Sequence, residues 1–361
     1  MPKYKIFGAE PDIQIPQDCF IKDDELEAME ATMPGCEHGW FNSVYQGANL
    51  HYRKWLPPVG AKPKGIVVNM HGITASCGRG FIADDSNGKF RKLNMSLQAQ
   101  VLVEQQGYAL YAFEQYGHGF SEGNRFLIPQ TWKNNLQDYV NFCNLVTDQH
   151  DKDIPLFLQG ESYGGCLTIH AAKQFQNDPS SGPSNFDSIV LVAPAIEGDL
   201  PPTPVYQLLR YGLAPLFPEW IPFFMPNPVS SDRIWRDEEV RKIRSSPRCK
   251  ERGLEGCGSP FRLGTALNVL VAMEEVRNHA IPGFQVPFCI LHGTLDEAVV
   301  IRGSEFMMDK AETPMNDKEL HRIEGAYHDL FGDPLAEECM AHSWQWILKR
   351  TKAYHQNKSQ K

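Results

Sequence analysis

A serine flanked by glycines is the residue best suited to covalent chemistry in this chain. Residues 160–165 read GESYGG and lie between a short apolar run and a stretch of helical spacing. A strand-to-helix turn of this kind holds a serine in a strained backbone conformation. The flanking glycines have no Cβ, so the backbone of neighbouring elements can come close to the turn. Ser162 would then lie at a helix N-terminus, where N–H groups favour an oxyanion. Because the motif alone also occurs by chance, Ser162 is the predicted nucleophile only together with the partners below.

A serine nucleophile needs a base, and seven histidines follow Ser162. His328 lies in a loop just after a predicted strand and before a helix, where catalytic groups of α/β sheets collect. His321 is the second candidate, but it falls inside that strand. His170 should point away from the serine, since it lies two turns along the following helix. His328 is therefore the predicted base.

The base needs a carboxylate that fixes its tautomer. Asp296 lies in the loop that follows the apolar run 286–293. Glu297 is one residue further and would face the other way. Asp329 is next to His328 in the sequence and is therefore poorly placed to reach the Nδ1 atom of that ring. Asp296 is the predicted acid.

An oxyanion needs two N–H donors. The N–H of Tyr163 is one, because it directly follows the serine. The segment His71-Gly72 ends another β-branched run, and the N–H of Ile73 is the predicted second donor. The alternative is that His71-Gly72 is only a turn.

Short apolar runs alternate with amphipathic stretches along most of the chain. This alternation predicts βαβ units, and hence an α/β fold with a mostly parallel sheet flanked by helices. The predicted strands are residues 50–56, 66–70, 108–113, 155–158, 189–192, 286–293 and 319–323, and the predicted helices are 93–106, 132–149, 166–175 and 335–353.

The alternation stops at Pro194. Nine of the 35 residues from Pro194 to Pro228 are proline, with aromatic residues between them, and a charged and then an apolar helical stretch follow. An inserted helical cap of subdomain size fits this pattern. The predicted organisation is a polar extension (1–40), the first part of the core (41–194), the cap (195–283), the second part of the core (284–353) and a polar tail (354–361).

Composition excludes several classes of protein. The 361 residues include 44 acidic and 35 basic side chains, a net charge of −9, which argues against a nucleic-acid binder. No apolar run reaches the roughly 18–20 residues of a spanning helix, and no signal peptide is visible. Nine cysteines without a C-x-x-C pair are typical of reduced thiols. We therefore expect a cytoplasmic protein without a metal or cofactor.

Four segments in order resemble one enzyme group. Residues 65–72 (GIVVNMHG), 116–123 (YGHGFSEG), 160–165 and 325–330 (GAYHDL) are similar to the monoacylglycerol lipase and lysophospholipase group of serine α/β-hydrolases. The plant-type members, which include caffeoylshikimate esterases, are the most similar. The resemblance covers about residues 39–350. It implies the α/β-hydrolase fold, with residues 195–283 as a mobile cap over an acyl pocket.

Matching positions carry the group's functional residues over to this chain. The resemblance implies Ser162 as nucleophile, Asp296 as acid and His328 as base, with the N–H groups of Ile73 and Tyr163 as oxyanion hole. Two departures concern other positions. Glu114 stands where the group has a structural aspartate, and the loop after His71-Gly72 lacks a second histidine that many members carry.

The leading hypothesis is a serine-dependent carboxylic-ester hydrolase that acts on monoacylglycerol or lysophospholipid through an acyl-enzyme. One alternative is an aromatic, caffeoyl-type esterase. Another is a proline-directed aminopeptidase, whose substrate amine would need an acidic site such as Glu197, Asp199 or Glu219. The third is an inactive binding module, against which the complete triad argues.

The cap carries an apolar cluster, in which Phe217, Trp220 and Phe223 are the candidate substrate-binding residues. In one interpretation the whole cluster packs on the core or lines the pocket. In the other, part of it is exposed and reaches a lipid headgroup region. Residues 233–252 hold eight basic against four acidic side chains, which offsets the negative net charge near a bilayer. The prediction is weak, salt-sensitive peripheral membrane contact through the cap.

Overall fold

A mostly parallel sheet flanked by helices forms the core of the molecule, which confirms the predicted fold class. The computed structural model describes residues 36–77, 81–83, 90–92, 95, 98–198, 202–223, 227–238, 241–242 and 261–359. Most of the predicted N-terminal extension, part of the predicted helix 93–106 and much of the basic segment 233–252 lie outside these residues.

Eight strands make the main sheet, in the order β1-β2-β6-β3-β7-β8-β9-β10. The strands from β6 to β10 run parallel, whereas β1, β2 and β6 pair antiparallel. Strands β4 and β5 form a separate ribbon. The bounds are β1 Cys36–Asn42, β2 Asn49–Trp55, β3 Ile66–Met70, β4 Phe81–Ala83, β5 Phe90–Lys92, β6 Ala109–Phe113, β7 Leu156–Glu161, β8 Phe186–Val192, β9 Phe288–Gly293 and β10 Lys318–Ile323.

Helices lie on both faces of this sheet. Their bounds are α1 Ala99–Gln105, α2 Trp132–Thr147, α3 Tyr163–Asn177, α4 Thr203–Leu208, α5 Ser231–Ile234, α6 Leu263–Glu275, α7 Arg302–Lys310 and α8 Ala336–Ser359. Helix α1 is a π-helix, α4 continues through Leu209–Leu213 and Ala214–Leu216, and α6 continues through Val276–Ala280. Helix α8 runs past its predicted end, because lysine and glutamine side chains suit a solvated helix as well as a tail.

The central strands are apolar throughout because they are covered on both faces. All five residues of β3 are buried. Val68 faces a core that includes Tyr139 of α2 and Cys166 of α3. Val67 faces a second core that includes Trp346 of α8. Between β8 and β9 the chain leaves the sheet and forms α4, α5 and α6, in the region of the predicted cap.

Strand β2 was predicted, as residues 50–56, whereas its antiparallel partner β1 was not, and the two strands enclose a charged network around Glu114. The Glu114 carboxylate accepts hydrogen bonds from His51 Nδ1, at 3.0 Å, and from the backbone N–H of Phe120. Burial alone would raise the pKa of Glu114, but His51 and the buried guanidinium of Arg53 lower it to about 2. A Cβ at Gly119, whose φ is +48°, would lie 1.9 Å from the carboxylate carbon. Glu114 thus occupies a structural position, as the resemblance implies.

Neither covalent cross-links nor membrane spans are found in the described part of the chain. The six described cysteines are free thiols. No described helix combines the length and apolar character needed to cross a bilayer.

Glu114→Gln should lower the free energy of unfolding by about 3 kcal/mol at neutral pH, because it removes a buried negative charge that accepts hydrogen bonds from His51 and the Phe120 N–H and that the charge of Arg53 stabilises. The carboxyl has a folded pKa below its unfolded value of 4.5. Its stabilising effect is therefore present above pH 4.5 and is lost as the pH falls toward 2. Urea unfolding at pH 7 and at pH 3 measures the loss of stability and its dependence on pH, and Glu104→Gln, at an exposed position, is the control. Equal stability of Glu114→Gln and the parent at pH 7 would contradict this account.

Candidate active site

The carboxyl ends of four parallel strands bring the predicted site residues to one edge of the sheet. Ser162 directly follows β7, Asp296 follows β9, and His328 follows β10. Ile73 follows β3 and lines a pocket together with Ser162 and His328. Loops at this edge of an α/β sheet meet in a single crevice, so distant parts of the sequence become neighbours here.

Ser162 lies in a strained turn between β7 and α3. Its backbone has φ 53° and ψ −120°, a conformation that residues other than glycine rarely adopt. The Ser162 N–H donates to the Val192 carbonyl at 2.9 Å, and the Ser162 carbonyl accepts from the N–H groups of Cys166, at 3.1 Å, and Ala195, at 2.9 Å. These three bonds to β8, to α3 and to the loop after β8 hold the serine in place.

The glycines around Ser162 are required by close packing. A Cβ at Gly164 would lie 2.2 Å from the Met70 carbonyl oxygen at the end of β3. A Cβ at Gly160 would lie 2.2 Å from Thr168 Oγ1 on α3. Larger residues at either position would push the helix away from the sheet and move the serine.

Asp296 and His328, the predicted acid and base, are hydrogen-bonded to each other. His328 Nδ1 lies 2.7 Å from Asp296 Oδ2. The other oxygen, Oδ1, accepts from the N–H groups of Ala298 and Val299, each at 2.9 Å. Burial alone would raise the pKa of Asp296, but the charges and hydrogen bonds of His328 and His292 lower it far below its usual range. An ionised Asp296 places the proton of neutral His328 on Nδ1, which leaves Nε2 able to accept a proton.

A second histidine on Asp296 was missed by sequence reasoning. His292 Nε2 lies 3.3 Å from Asp296 Oδ2 and 2.9 Å from the Val299 carbonyl, and its Nδ1 lies 2.7 Å from Ser304 Oγ. Since a carbonyl can only accept, His292 Nε2 carries the proton. His292 is four residues before Asp296, but only the fold of the intervening loop shows that the two side chains meet.

The alternative bases and acids have other partners. His321 contacts Glu319 at 3.3 Å and stacks on His342. Asp329 accepts from Trp235 Nε1 at 2.7 Å and from the Gly332 N–H at 3.1 Å. Glu297 is exposed. These placements agree with the preference for His328 and Asp296.

The predicted oxyanion donors both lie beside the serine. Tyr163 is the first residue of α3, and N–H groups in the first turn of a helix have no acceptor within it. Gly72 and Ile73 line the pocket together with Ser162. A Cβ at Gly72 would lie 3.0 Å from the Cβ of Ser162, so only glycine lets this loop approach so closely.

The pocket walls are mainly apolar and include two residues of the predicted cap. Val229 and Ile234 of the cap line it together with Val192, Leu330 and others. The predicted cap candidates are not among the lining residues. Phe217 is 54% exposed and Phe223 is 96% exposed, while Trp220 is partly buried. These three side chains lie away from the pocket, because much of the apolar surface of α4 and of the segment after it faces solvent.

Two clusters of described residues have donor atoms close enough for a metal ion. One comprises His51, Cys77 and Glu114, and the other comprises Cys289, Glu319 and His321. In the first, Glu114 already accepts from His51 and Phe120 and has the Arg53 charge nearby. In the second, Glu319 pairs with Lys349 at 2.6 Å. These existing partners compete with an ion at both places, and neither cluster shares a residue with the pocket at Ser162.

Comparisons with known proteins agree with this geometry. The profile of the family described as serine aminopeptidase, S33, matches residues 95–335, about two thirds of the chain. A caffeoylshikimate esterase of Arabidopsis thaliana is 29% identical over 82% of this chain and 81% of its own length. Human monoglyceride lipase is 26% identical over 84% of this chain and 88% of its own length.

Among solved structures, the monoglyceride lipase of Saccharomyces cerevisiae, a soluble variant in complex with a substrate analogue, has a TM-score of 0.66. It is 20% identical, and the match covers 89% of this chain and 97% of that chain. The likeness shows the α/β-hydrolase fold.

We expect a fluorophosphonate probe to label Ser162 and no other residue. The labelling rate should fall as the pH drops below the pKa of a histidine, about 6.5, since a protonated base cannot activate the serine and Asp296 stays ionised. Peptide mapping after labelling between pH 4 and pH 8 checks both statements. Ser162→Ala should remain unlabelled, and Ser181→Ala should react like the parent. A rate that stays constant down to pH 4 would contradict a histidine base.

Proposed function

Since the chain belongs to the serine aminopeptidase, S33, family of α/β-hydrolases, we propose that it is a serine-dependent carboxylic-ester hydrolase acting on a monoacylglycerol or lysophospholipid. The observation that carries the proposal is the hydrogen-bonded pair of Asp296 and His328 in one apolar-walled pocket with the strained Ser162. Relatives with the names monoglyceride lipase and caffeoylshikimate esterase support an ester as the substrate.

In the first half-reaction, Ser162 Oγ attacks the ester carbonyl carbon while His328 Nε2 takes its proton. Negative charge develops on the carbonyl oxygen, which accepts hydrogen bonds from the N–H groups of Ile73 and Tyr163. One such donor is typically worth roughly 3–4 kcal/mol. The intermediate then expels the alcohol, which receives its proton from His328, and the acyl group stays on Ser162.

In the second half-reaction, water attacks the acyl-enzyme while His328 again takes a proton. Collapse of the intermediate returns the proton to Ser162 Oγ and releases the carboxylic acid. Asp296 remains ionised throughout and stabilises the imidazolium form of His328. Its two backbone donors and His292 hold the carboxylate in the orientation that this role requires.

The pocket walls favour an acyl chain. Val192 of the core, Val229 and Ile234 of the cap and Leu330 present apolar surface beside Ser162. Pockets of this kind bind hydrophobic groups and use a few polar atoms for orientation. An aromatic acyl group is the second candidate, because the Arabidopsis relative is named a caffeoylshikimate esterase.

Two of the three acidic residues considered for a peptidase are already paired with arginines. Glu197 pairs with Arg277 and lies 3.3 Å from Arg302. Glu219 lies 3.8 Å from Arg262. The third, Asp199, lies outside the described residues. A site for a substrate α-amine needs a carboxylate whose charge is not already neutralised, so these pairs favour an ester over a peptide substrate.

A substrate panel tests this proposal directly. We expect rapid hydrolysis of monoacylglycerol or lysophosphatidylcholine and little hydrolysis of a prolyl amide. Ser162→Ala, Asp296→Asn and His328→Ala should each lower kcat on the best substrate by about 10⁴-fold or more, and the losses should not multiply in combination. Near-parental turnover by His328→Ala would refute the assignment of the base. A preference for caffeoyl esters would move the proposal to the aromatic alternative.

The proposal extends to where the enzyme meets its substrate. Six side chains of the cap form an exposed apolar cap face: Val205, Leu208, Tyr211, Leu216, Phe217 and Phe223, each at least 44% exposed. This exposure disagrees with the interpretation that the whole cluster packs inside. Exposed apolar side chains of this kind insert into the headgroup region of a bilayer. We expect weak, salt-sensitive peripheral contact, aided by the basic residues of segment 233–252.

Co-sedimentation with vesicles that contain monoacylglycerol tests the membrane contact. Phe217→Ala and Phe223→Ala should lower the bound fraction and the hydrolysis of vesicle-borne substrate, while hydrolysis of a soluble p-nitrophenyl ester stays near the parental rate. Met315→Ala is the matched control, because Met315 is also exposed, at 73%, but lies outside the cap. If both cap variants bind and hydrolyse vesicle-borne substrate like the parent, the cap face does not contact the membrane.

A further inference from the structure

Two buried histidines connect the loop after β3 with the loop after β6. His71 follows β3, and its Nε2 accepts a hydrogen bond from the Gln115 N–H at 3.1 Å. His118 follows β6, and its Nε2 accepts from the Thr74 N–H at 3.1 Å. The two rings are 5.2 Å apart. Each histidine therefore lies on one loop and binds the backbone of the other.

The hydrogen bonds define the tautomer of both rings. His71 Nδ1 lies 2.7 Å from the Gly72 carbonyl, and His118 Nδ1 lies 2.8 Å from the Tyr116 carbonyl. Because a carbonyl only accepts, each Nδ1 carries a proton. Because each Nε2 accepts from a backbone N–H, neither Nε2 does. Both imidazoles are neutral in this arrangement.

Burial keeps His118 in this neutral form. It lowers the pKa of His118 well below its usual value. The neighbouring His71 and the guanidinium of Arg125 lower this pKa further, and together these effects outweigh the Tyr116 carbonyl and the Glu114 carboxylate, which raise it. His118 therefore keeps accepting from the Thr74 N–H over the pH range in which a catalytic histidine titrates.

The bond from His71 also determines where the Ile73 N–H points. The Gly72 carbonyl accepts from His71 Nδ1, at 2.7 Å, and from the Ala75 N–H, at 3.3 Å. In a planar trans peptide the C=O and N–H groups point in opposite directions. Holding the Gly72 carbonyl on one side therefore turns the Ile73 N–H to the other, and Gly72 and Ile73 lie against Ser162 in the pocket.

The bond to His118 holds the next residue in an unfavourable conformation. Thr74 has φ 61°, which is rare for a β-branched residue and costs of order 1–3 kcal/mol unless neighbouring structure imposes it. The Thr74 N–H donates to His118 Nε2. This bond keeps the loop tightly turned directly after Ile73.

A chain of amides anchors the same loop to helix α2. Gln115 Nε2 donates to the His71 carbonyl at 2.9 Å. Asn135 Nδ2 of α2 donates to Gln115 Oε1 at 2.8 Å. All three residues are buried, so the loop is fixed against a rigid part of the core.

We propose that His71 and His118 are positioning residues that act as a reciprocal clamp, holding the Ile73 N–H where the oxyanion of the reaction forms. The inference rests on the proposed function, in which Ile73 supplies an oxyanion donor. Neither histidine touches the substrate, and each acts through the backbone of the loop.

Variants of His118 separate this role from general stability. The amide oxygen of His118→Gln reaches the Nε2 position and can accept from the Thr74 N–H, whereas that of His118→Asn reaches only the Nδ1 position. Each is assayed with a soluble p-nitrophenyl ester and with its thiono counterpart, whose sulfur is a poor hydrogen-bond acceptor. We expect His118→Asn to lower kcat on the oxygen ester by about 10–100-fold with little change in KM. The thionoester rate of His118→Asn should fall much less, so the ratio of the oxygen-ester rate to the thionoester rate should fall. His118→Gln should have a ratio close to that of the parent.

The controls make each outcome decisive. His150→Phe removes another histidine side chain, which lies 2.7 Å from the Tyr111 hydroxyl, and should keep the parental rate ratio. Thermal unfolding shows whether each variant folds. If His118→Asn does not fold, His118→Gln still tests the proposal, because it should fold and have a near-parental ratio of oxygen-ester to thionoester rates. An unchanged rate ratio in folded His118→Asn, or a lowered one in folded His118→Gln, would overturn the clamp. A parent that hydrolyses neither ester would instead overturn the proposed function.

Discussion

The strained backbone of Ser162 is the constraint on which the rest of the site depends. A residue with φ 53° and ψ −120° persists only where its surroundings hold it. Here the surroundings are the Val192 carbonyl of β8 and the N–H groups of Cys166 and Ala195. This strained turn places the side chain of Ser162 in the crevice at the end of the sheet. It also places the first N–H groups of α3 beside that side chain. The parallel sheet and its short βα turn thus serve to hold one serine in a conformation it would not adopt alone.

The other site residues come to the serine because parallel strands end at the same edge. The loops after β3 and β9 have hydrogen bonds of their own that do not involve the serine. The loop after β9 is closed around Asp296 by the N–H groups of Ala298 and Val299. The loop after β3 is closed by His71 and His118. Because these bonds are made within the protein itself, they orient the proposed donors and acceptors, and in the proposed mechanism little reorganisation remains for the reaction.

Sequence patterns predicted the parts of this arrangement that depend on local spacing. The alternation of strands and helices and the serine turn follow from residue types and their separation, and Asp296 and His328 were selected because they lie in loops that follow predicted strands. Contacts that depend on how loops fold back were not predictable, and His292 on Asp296 is an example. The antiparallel strand β1 was also missed, because an edge strand with polar residues lacks a continuous apolar run. Periodicity in the cap likewise could not tell which side of an apolar helix, such as the one bearing Leu208, faces solvent.

The pair of His51 and Glu114, away from the candidate site, explains why a histidine–carboxylate pair alone does not define a base. His51 Nδ1 lies 3.0 Å from Glu114, much as His328 lies 2.7 Å from Asp296. The other ring nitrogen of His51 is 2.7 Å from His38 Nδ1 and is enclosed in the protein, so it binds another side chain and not a substrate. His328, in contrast, lines the same pocket as the nucleophile. The carboxylate fixes the tautomer in both cases, but the chemistry depends on what the opposite nitrogen faces. His51 lies within β2, whereas His328 follows the carboxyl end of β10, where the pocket is.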